Sequence, residues 1–165
     1  MDIEVKIADY HNDKDAKAIT ELLNCYAADP MGGGKVLEEC VLSNIVNALS
    51  RYPTAFSVIA YVEGKHVGLV NCFESLSTFK CKPLINIHDI VVKPEFRNRD
   101  IGYRMLTKVE QEAKKRGCCK LTLEVLEGNK SAKSLYQKYG FKAYQLDPSN
   151  GCALFWEKEI SEINK

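Results

Sequence analysis

No stretch of the 165-residue chain offers the run of about 18 apolar residues that a membrane-spanning helix needs. The start, Met1-Asp2-Ile3-Glu4-Val5-Lys6, lacks the basic opening and apolar stretch of a signal peptide. A cytoplasmic protein without a membrane partner is therefore expected. Charge of one sign is missing as well: 23 basic residues face 22 acidic ones for a net charge of +1, which leaves no uniform field to gather nucleic acid. Seven cysteines stand at 25, 40, 72, 81, 118, 119 and 152, an odd number without a C-x-x-C pair, so reduced thiols are expected rather than a disulfide framework. Cys81, His88, Cys118 and Cys119 lack the paired short spacings of a zinc site, and no metal is expected. Neither G-x-G-x-x-G nor G-x-x-x-x-G-K-[ST] occurs, which argues against a nucleotide-binding α/β protein that uses its basic turn for another phosphate ligand. Repeats, low-complexity tracts and Pro/Ser-rich linkers are absent too. With 45% hydrophobic residues to build a core, residues 1–165 read as a single domain.

What is present is a change of hydrophobic period along the chain. Ile3, Val5 and Ile7 alternate with polar residues as in a half-buried strand. Ala16, Ile19, Leu22, Leu23 and Tyr26 fall at helical spacing over residues 13–26, before Asp29-Pro30 and the turn at Gly32-Gly33-Gly34. A second helix is expected from Lys35 to about Ser50, stopping ahead of Pro53. Residues 55–62 and 66–73 make a hairpin around Glu63-Gly64-Lys65. Residues 83–92 are almost continuously apolar, as in a central strand covered on both faces. After the basic turn 93–100, Ile101, Met105, Leu106, Val109 and Ala113 mark a helix that ends in Lys114-Lys115-Arg116-Gly117, with cations at the negative end of its dipole. Leu121, Leu123 and Val125 predict a strand; Ala132, Leu135, Tyr136 and Tyr139 predict a helix closed by Gly140. Residues 141–146 and 152–160 predict two last strands about the turn at 148–151. The order β-α-α-β-β-β-α-β-α-β-β implies an α/β fold, a mixed sheet flanked by helices.

The chemistry gathers after the strand at 85–92. A basic turn that feeds a helix N-terminus presents unpaired backbone N–H groups and a positive dipole end, and Arg97 and Arg99 add charge, so a phosphate or pyrophosphate site is expected. Residues 92–102, Val-Lys-Pro-Glu-Phe-Arg-Asn-Arg-Asp-Ile-Gly, resemble the acetyl-coenzyme A loop of the GNAT N-acetyltransferase superfamily, (Gln/Arg)-x-x-Gly-x-(Gly/Ala). Asn129-x-x-Ala132-x-x-Leu135-Tyr136-x-x-x-Gly140-Phe141 looks like the second landmark of the same family. The likeness covers residues 85–160 by motif, and the first half by element order alone. It implies the GNAT-like acyl-CoA N-acyltransferase fold, with acetyl-CoA as co-substrate. The backbone of Ile90, Val91 and Val92 would hold the pantetheine arm like an added strand. Loop N–H groups across Arg97, Asn98, Arg99, Asp100, Ile101, Gly102 and Tyr103 would hold the pyrophosphate, and Asn129, otherwise a helix cap, would bond the cofactor. Asp100 stands where the family has its first Gly. Asp tolerates left-handed backbone and makes a good N-cap, but its charge opposes a pyrophosphate.

Acetyl transfer to an amine needs a neutral nucleophile, stabilisation of an oxyanion and a proton for the departing thiolate. The resemblance implies Tyr136 as proton donor; its spacing alone would read as an aromatic core position. A backbone N–H near Val91 or Val92 is the natural oxyanion donor. His88, either the general base or a rim histidine, lies on the strand where several family members carry a carboxylate, and some members use a water chain instead. Neighbouring strand residues face opposite ways, so His88 and Asp89 are expected to serve different faces. Asp29, Asn71, Glu74 and Asp89 are candidates to receive a cationic amine.

The resulting expectation is an enzyme that transfers acetyl from acetyl-CoA to a primary amine, a small metabolite in preference to a protein, directly in a ternary complex. The alternative is a non-catalytic coenzyme A-binding sensor or interaction module on the same fold. Dimers are common in the resembling family, so a homodimer is one expectation for the assembly.

Overall fold

A computed structural model describes residues 2–160. Strand β1 (Ile3–Ile7) leads into α1 (Asp13–Ala28), whose start is secured by Asn12: its side-chain oxygen accepts from the N–H groups of Lys14 and Asp15 at 3.0 and 3.1 Å. Helix α2 (Glu39–Arg51) follows, then β2 (Ala55–Val62), β3 (Lys65–Ser77) and β4 (Lys82–Val92) in direct succession. Helix α3 (Ile101–Lys115), the short β5 (Leu121–Leu123) and α4 (Lys130–Tyr139) complete the elements.

The five strands form one sheet in chain order, β1-β2-β3-β4-β5, antiparallel except for the parallel β4–β5 pair that the α3 crossover makes necessary. One face carries Val58, Ala60, Val70, Ile85 and Ile87 against Met105, Leu106 and Val109 of α3 and Tyr136 of α4. The other carries Ile59, Tyr61, Leu69 and Val91 against Ala18, Ile19 and Leu22 of α1 and Leu49 of α2. Gly68 of β3 permits the α3 contact, since a Cβ there would stand 2.9 Å from the Met105 thioether. All seven cysteines are free thiols. Among the described residues no helix is long and apolar enough to cross a membrane.

Three expectations need correction. Helix α2 begins at Glu39 rather than Lys35, because 35–38 is drawn back onto α1: the Lys35 N–H donates to the Ala27 carbonyl, and the Leu37 N–H to the Asn24 side chain at 2.8 Å. The two last strands do not form. Residues 141–160 hold a single 3₁₀ turn at Pro148–Asn150 and one backbone bond from Ala153 to Tyr144, and Leu146, Leu154, Phe155 and Trp156 are exposed. A strand needs a partner edge, and β5 offers only three residues. Finally, β4 is bulged. Asn71 pairs with Asp89 but Cys72 pairs with Ile87, so His88 is an extra residue and strict alternation fails there. The His88 ring stands edge-on to Phe73, and Asp89 meets Asn71, which puts both side chains on the α1/α2 side rather than on opposite faces.

Candidate active site

Strand β5 pairs with β4 only from Ile85 to Ile87, while β4 continues to Val92. Beyond Ile87 the two strands part, and the outer edge of β4 at Ile90, Val91 and Val92 borders a cleft of about 390 Å3. Its walls come from four places: Tyr26, Asp29 and Met31 at the end of α1, the β4 edge, residues 96–103 of the loop into α3, and Asn129, Ser131, Ala132, Ser134, Leu135, Tyr136 and Lys138 of α4. Every residue that the resemblance implied for cofactor binding, apart from Arg99, lines it, as does Tyr136.

The loop turns backbone N–H groups and arginine charge toward the start of α3. Asn98 and Asp100 both have left-handed backbone, with φ of 60° and 57°. The first intrahelical bond of α3 is Arg104 N–H to the Asp100 carbonyl, so the N–H groups of Ile101, Gly102 and Tyr103 lie ahead of the helix's own ladder. Asp100 makes no side-chain cap; its carboxylate meets the Lys138 ammonium at 3.3 Å on the exposed rim, which offsets the charge that the sequence sets against a pyrophosphate. The Arg99 guanidinium lies 5.5 Å from the centre of the Phe96 ring. Gly102 serves packing as well as approach, because a Cβ there would come within 2.8 Å of the Leu135 side chain on α4.

Tyr136 is buried, and burial first, then the neighbouring Tyr26 phenol, pushes its hydroxyl well above the ordinary tyrosine value. It is therefore protonated at neutral pH, the state a proton donor requires. Asn129 caps α4, its oxygen accepting from Ala132 N–H at 3.1 Å, and lines the cleft at the same time.

The acceptor candidates separate. Asp29 is at the cleft, but its carboxylate accepts from Arg97 at 2.8 Å and from Met31 N–H at 2.9 Å; these bonds, the arginine's foremost, hold it below the usual carboxylate range. Arg97 also donates to the Val92 carbonyl at 3.0 Å, tying the α1 end to the end of β4. Glu74 is paired with Arg116 at 3.2 Å and does not line the cleft. Asn71 is 2% exposed and engaged on both sides, by Ser57 and Asp89. His88 is exposed and lies outside the lining. Asp89 is close enough to Tyr26 for its charge to join burial in raising that phenol. Tyr26 itself was not singled out in the sequence, where it is one more apolar position of the α1 stripe. Ser131, Ser134 and Lys138 were missed too, although their spacing of three and four marks one face of α4.

A family model described as "Acetyltransferase (GNAT) family" matches residues 17–141. The chain is 33% identical over 160 residues, 96% of its length and 85% of the relative's, to a thialysine N-epsilon-acetyltransferase from Bos taurus. An aminoglycoside acetyltransferase from an uncultured soil metagenomic sample superposes with a TM-score of 0.77 at 17% identity, over 98% of this chain and all of that one. AAC(6')-Iy, solved with a bisubstrate analogue, CoA-S-monomethyl-acetylneamine, gives 0.75 at 14% identity over 97% of this chain and all of that one.

Proposed function

The chain belongs to the GNAT acetyltransferase family and is an acetyl-CoA-dependent N-acetyltransferase; we propose that it acts as one domain on a small primary amine of the side-chain type, by direct transfer within a ternary complex. The reading rests above all on one observation, a continuous cleft wall that runs from the N–H-rich start of α3, past the open β4 edge, to the Tyr136 phenol. The thialysine named for the Bos taurus relative is the natural first acceptor to try.

Residues Arg97 to Tyr103 hold the pyrophosphate through backbone N–H groups and arginine charge, and the β4 edge at Ile90–Val92 holds the pantetheine arm by strand-like bonds. Asn129 steadies the cofactor where the strands part. Acetyl-CoA supplies an activated thioester carbonyl. As the acceptor nitrogen bonds to that carbon, the C–S bond breaks, and Tyr136 gives its proton to the sulfur. Asp89 receives the acceptor while it is still an ammonium. Before attack the ammonium gives one proton to His88 or to a water at the exposed end of the bulge, which frees the lone pair, and the nitrogen's second proton, lost as the amide forms, restores the Tyr136 phenol. Direct transfer is favoured over an acetyl-cysteine route because no cysteine lines the cleft among the described residues, and burial in the core beneath α3 pushes the Cys72 thiol far up.

Melting the protein with acetyl-CoA, coenzyme A or ATP tests the cofactor part: ligand at 100 times its dissociation constant stabilises by about 2.7 kcal/mol, several degrees for a domain of this size. Mass detection of acetylated product then runs across thialysine, L-lysine, an aliphatic diamine, sisomicin and a peptide with a free N-terminus. Acetylation of the peptide alone would overturn the small-amine reading.

A further inference from the structure

A hydrogen-bonded chain crosses three strands and ends at Asp89. The Tyr10 hydroxyl, in the segment between β1 and α1, meets the Ser57 hydroxyl at 2.9 Å. Ser57 Oγ is 2.7 Å from Asn71 Oδ1, and Asn71 Nδ2 is 3.0 Å from Asp89 Oδ2. The polarity of every link follows from the last acceptor. A carboxylate can only accept, so Asn71 turns its NH2 to Asp89 and its oxygen to Ser57. Ser57 spends its one proton on that oxygen and must accept from Tyr10. Ser57 is fully buried, Asn71 is 2% exposed and Tyr10 is half-buried, an environment in which aligned bonds polarise one another and an unpaired member is costly. The chain would miss Asp89 on a regular strand; it is the extra residue at His88 that brings Asp89 into register with Asn71.

We infer that Tyr10, Ser57 and Asn71 are positioning residues that set the orientation of Asp89 toward the acceptor ammonium. Asn71 occupies Oδ2, and Oδ1, which has no hydrogen-bond partner among the described residues, is the atom left for the amine. An amide cannot pass a proton along such a chain without changing tautomer, so the device orients and polarises and does not relay. It rests on the proposed role of Asp89. It places a determinant of acceptor affinity at Tyr10, whose hydroxyl meets β2, two strands from β4, and which, like Asp89 itself, is not a lining residue of the cleft.

Tyr10→Phe removes only the outermost hydroxyl and keeps the ring, which makes it the variant of choice. With thialysine, or the best amine of the panel above, as acceptor, its KM for the amine is expected to rise about three- to tenfold, the worth of one buried hydrogen bond. The KM for acetyl-CoA and kcat should stay within about twofold. Since Tyr10 acts through Asp89, the same substitution in an Asp89→Asn background should add nothing. An unchanged amine KM, equal rises in both KM values, or an effect that persists in full beside Asp89→Asn would each overturn the inference while leaving the proposed function standing. A wild-type protein that acetylates no amine in the panel would overturn both.

Discussion

The two faces of the sheet are built differently. Against α3 and α4 the buried side chains are aliphatic or aromatic almost throughout, and the groups proposed to hold the cofactor are backbone N–H and C=O groups at the start of α3 and the end of β4. Against α1 and α2 the core is interrupted by polar side chains. Asp15, fully buried, accepts from Tyr61 Oη and Asp9 N–H and pairs with Lys6 at 2.9 Å, and the Tyr10–Ser57–Asn71–Asp89 chain lies on the same side. A ligand shared by a whole family can be held by backbone geometry. An acceptor that differs between members has to be read by side chains, and those need buried support of their own.

The contrast is broken most strongly at Asp15. Asp15→Ala strands the Tyr61 hydroxyl and leaves Lys6 without its partner, for an expected loss of about 2–4 kcal/mol, or roughly 10 °C in a melting scan. The same carboxylate makes a pH prediction. Burial alone would raise its pKa, but bonds from Asp9 N–H, Lys6 and Tyr61 outweigh burial and hold it below the ordinary value. Its contribution is therefore complete above the unfolded-state value of about 3.9 and is lost as pH falls through the lower folded value. Melting temperature below about pH 4 should fall less steeply in Asp15→Asn than in wild type.

Next in size is Tyr136→Phe. The variant keeps the ring that packs on Phe141, so calorimetric binding of acetyl-CoA should be unchanged while kcat drops about 100-fold, the scale of a lost general acid. Equal turnover would assign Tyr136 to the core of the α3/α4 face and to nothing else.

Gly102→Ala probes the seam between α3 and α4. The new methyl group presses on the flexible end of Leu135, for an expected destabilisation of about 1 kcal/mol that Leu135→Ala in the same chain should relieve. The smallest effect belongs to Asp100→Gly. Left-handed backbone costs a non-glycine residue about 1 kcal/mol, and the substitution also removes a negative charge from the loop proposed to hold the pyrophosphate, at the expense of an exposed pair with Lys138. Titration calorimetry should show acetyl-CoA binding tightened by a few-fold; weaker binding would mark the Asp100–Lys138 pair as part of the loop's support.

Legibility in the sequence follows the same division. The α3 helix, its cationic end, the anion-receiving loop and the Asn129–Gly140 helix are all local, set by spacing, caps and turn residues within a few positions of one another. The acceptor side is not local. That Asp29 would be taken by Arg97, 68 positions on, or Glu74 by Arg116, cannot be seen in a linear pattern of charges. The tail from 141 to 160 misled for a related reason, since strand-like composition predicts pairing only where an edge is there to receive it.

Hydrophobic period and turn chemistry by themselves determined the helices, the first five strands and the basic loop ahead of α3, because those depend on contacts a turn or a pleat apart. Only tertiary structure decided that β4 bulges at His88, that Asp89 thereby reaches Asn71, and that a hydroxyl at residue 10 is tied to a carboxylate at residue 89. Register between strands and the hydrogen-bond direction of a buried amide are fixed by partners brought together from distant parts of the chain, and a sequence lists those partners without placing them side by side.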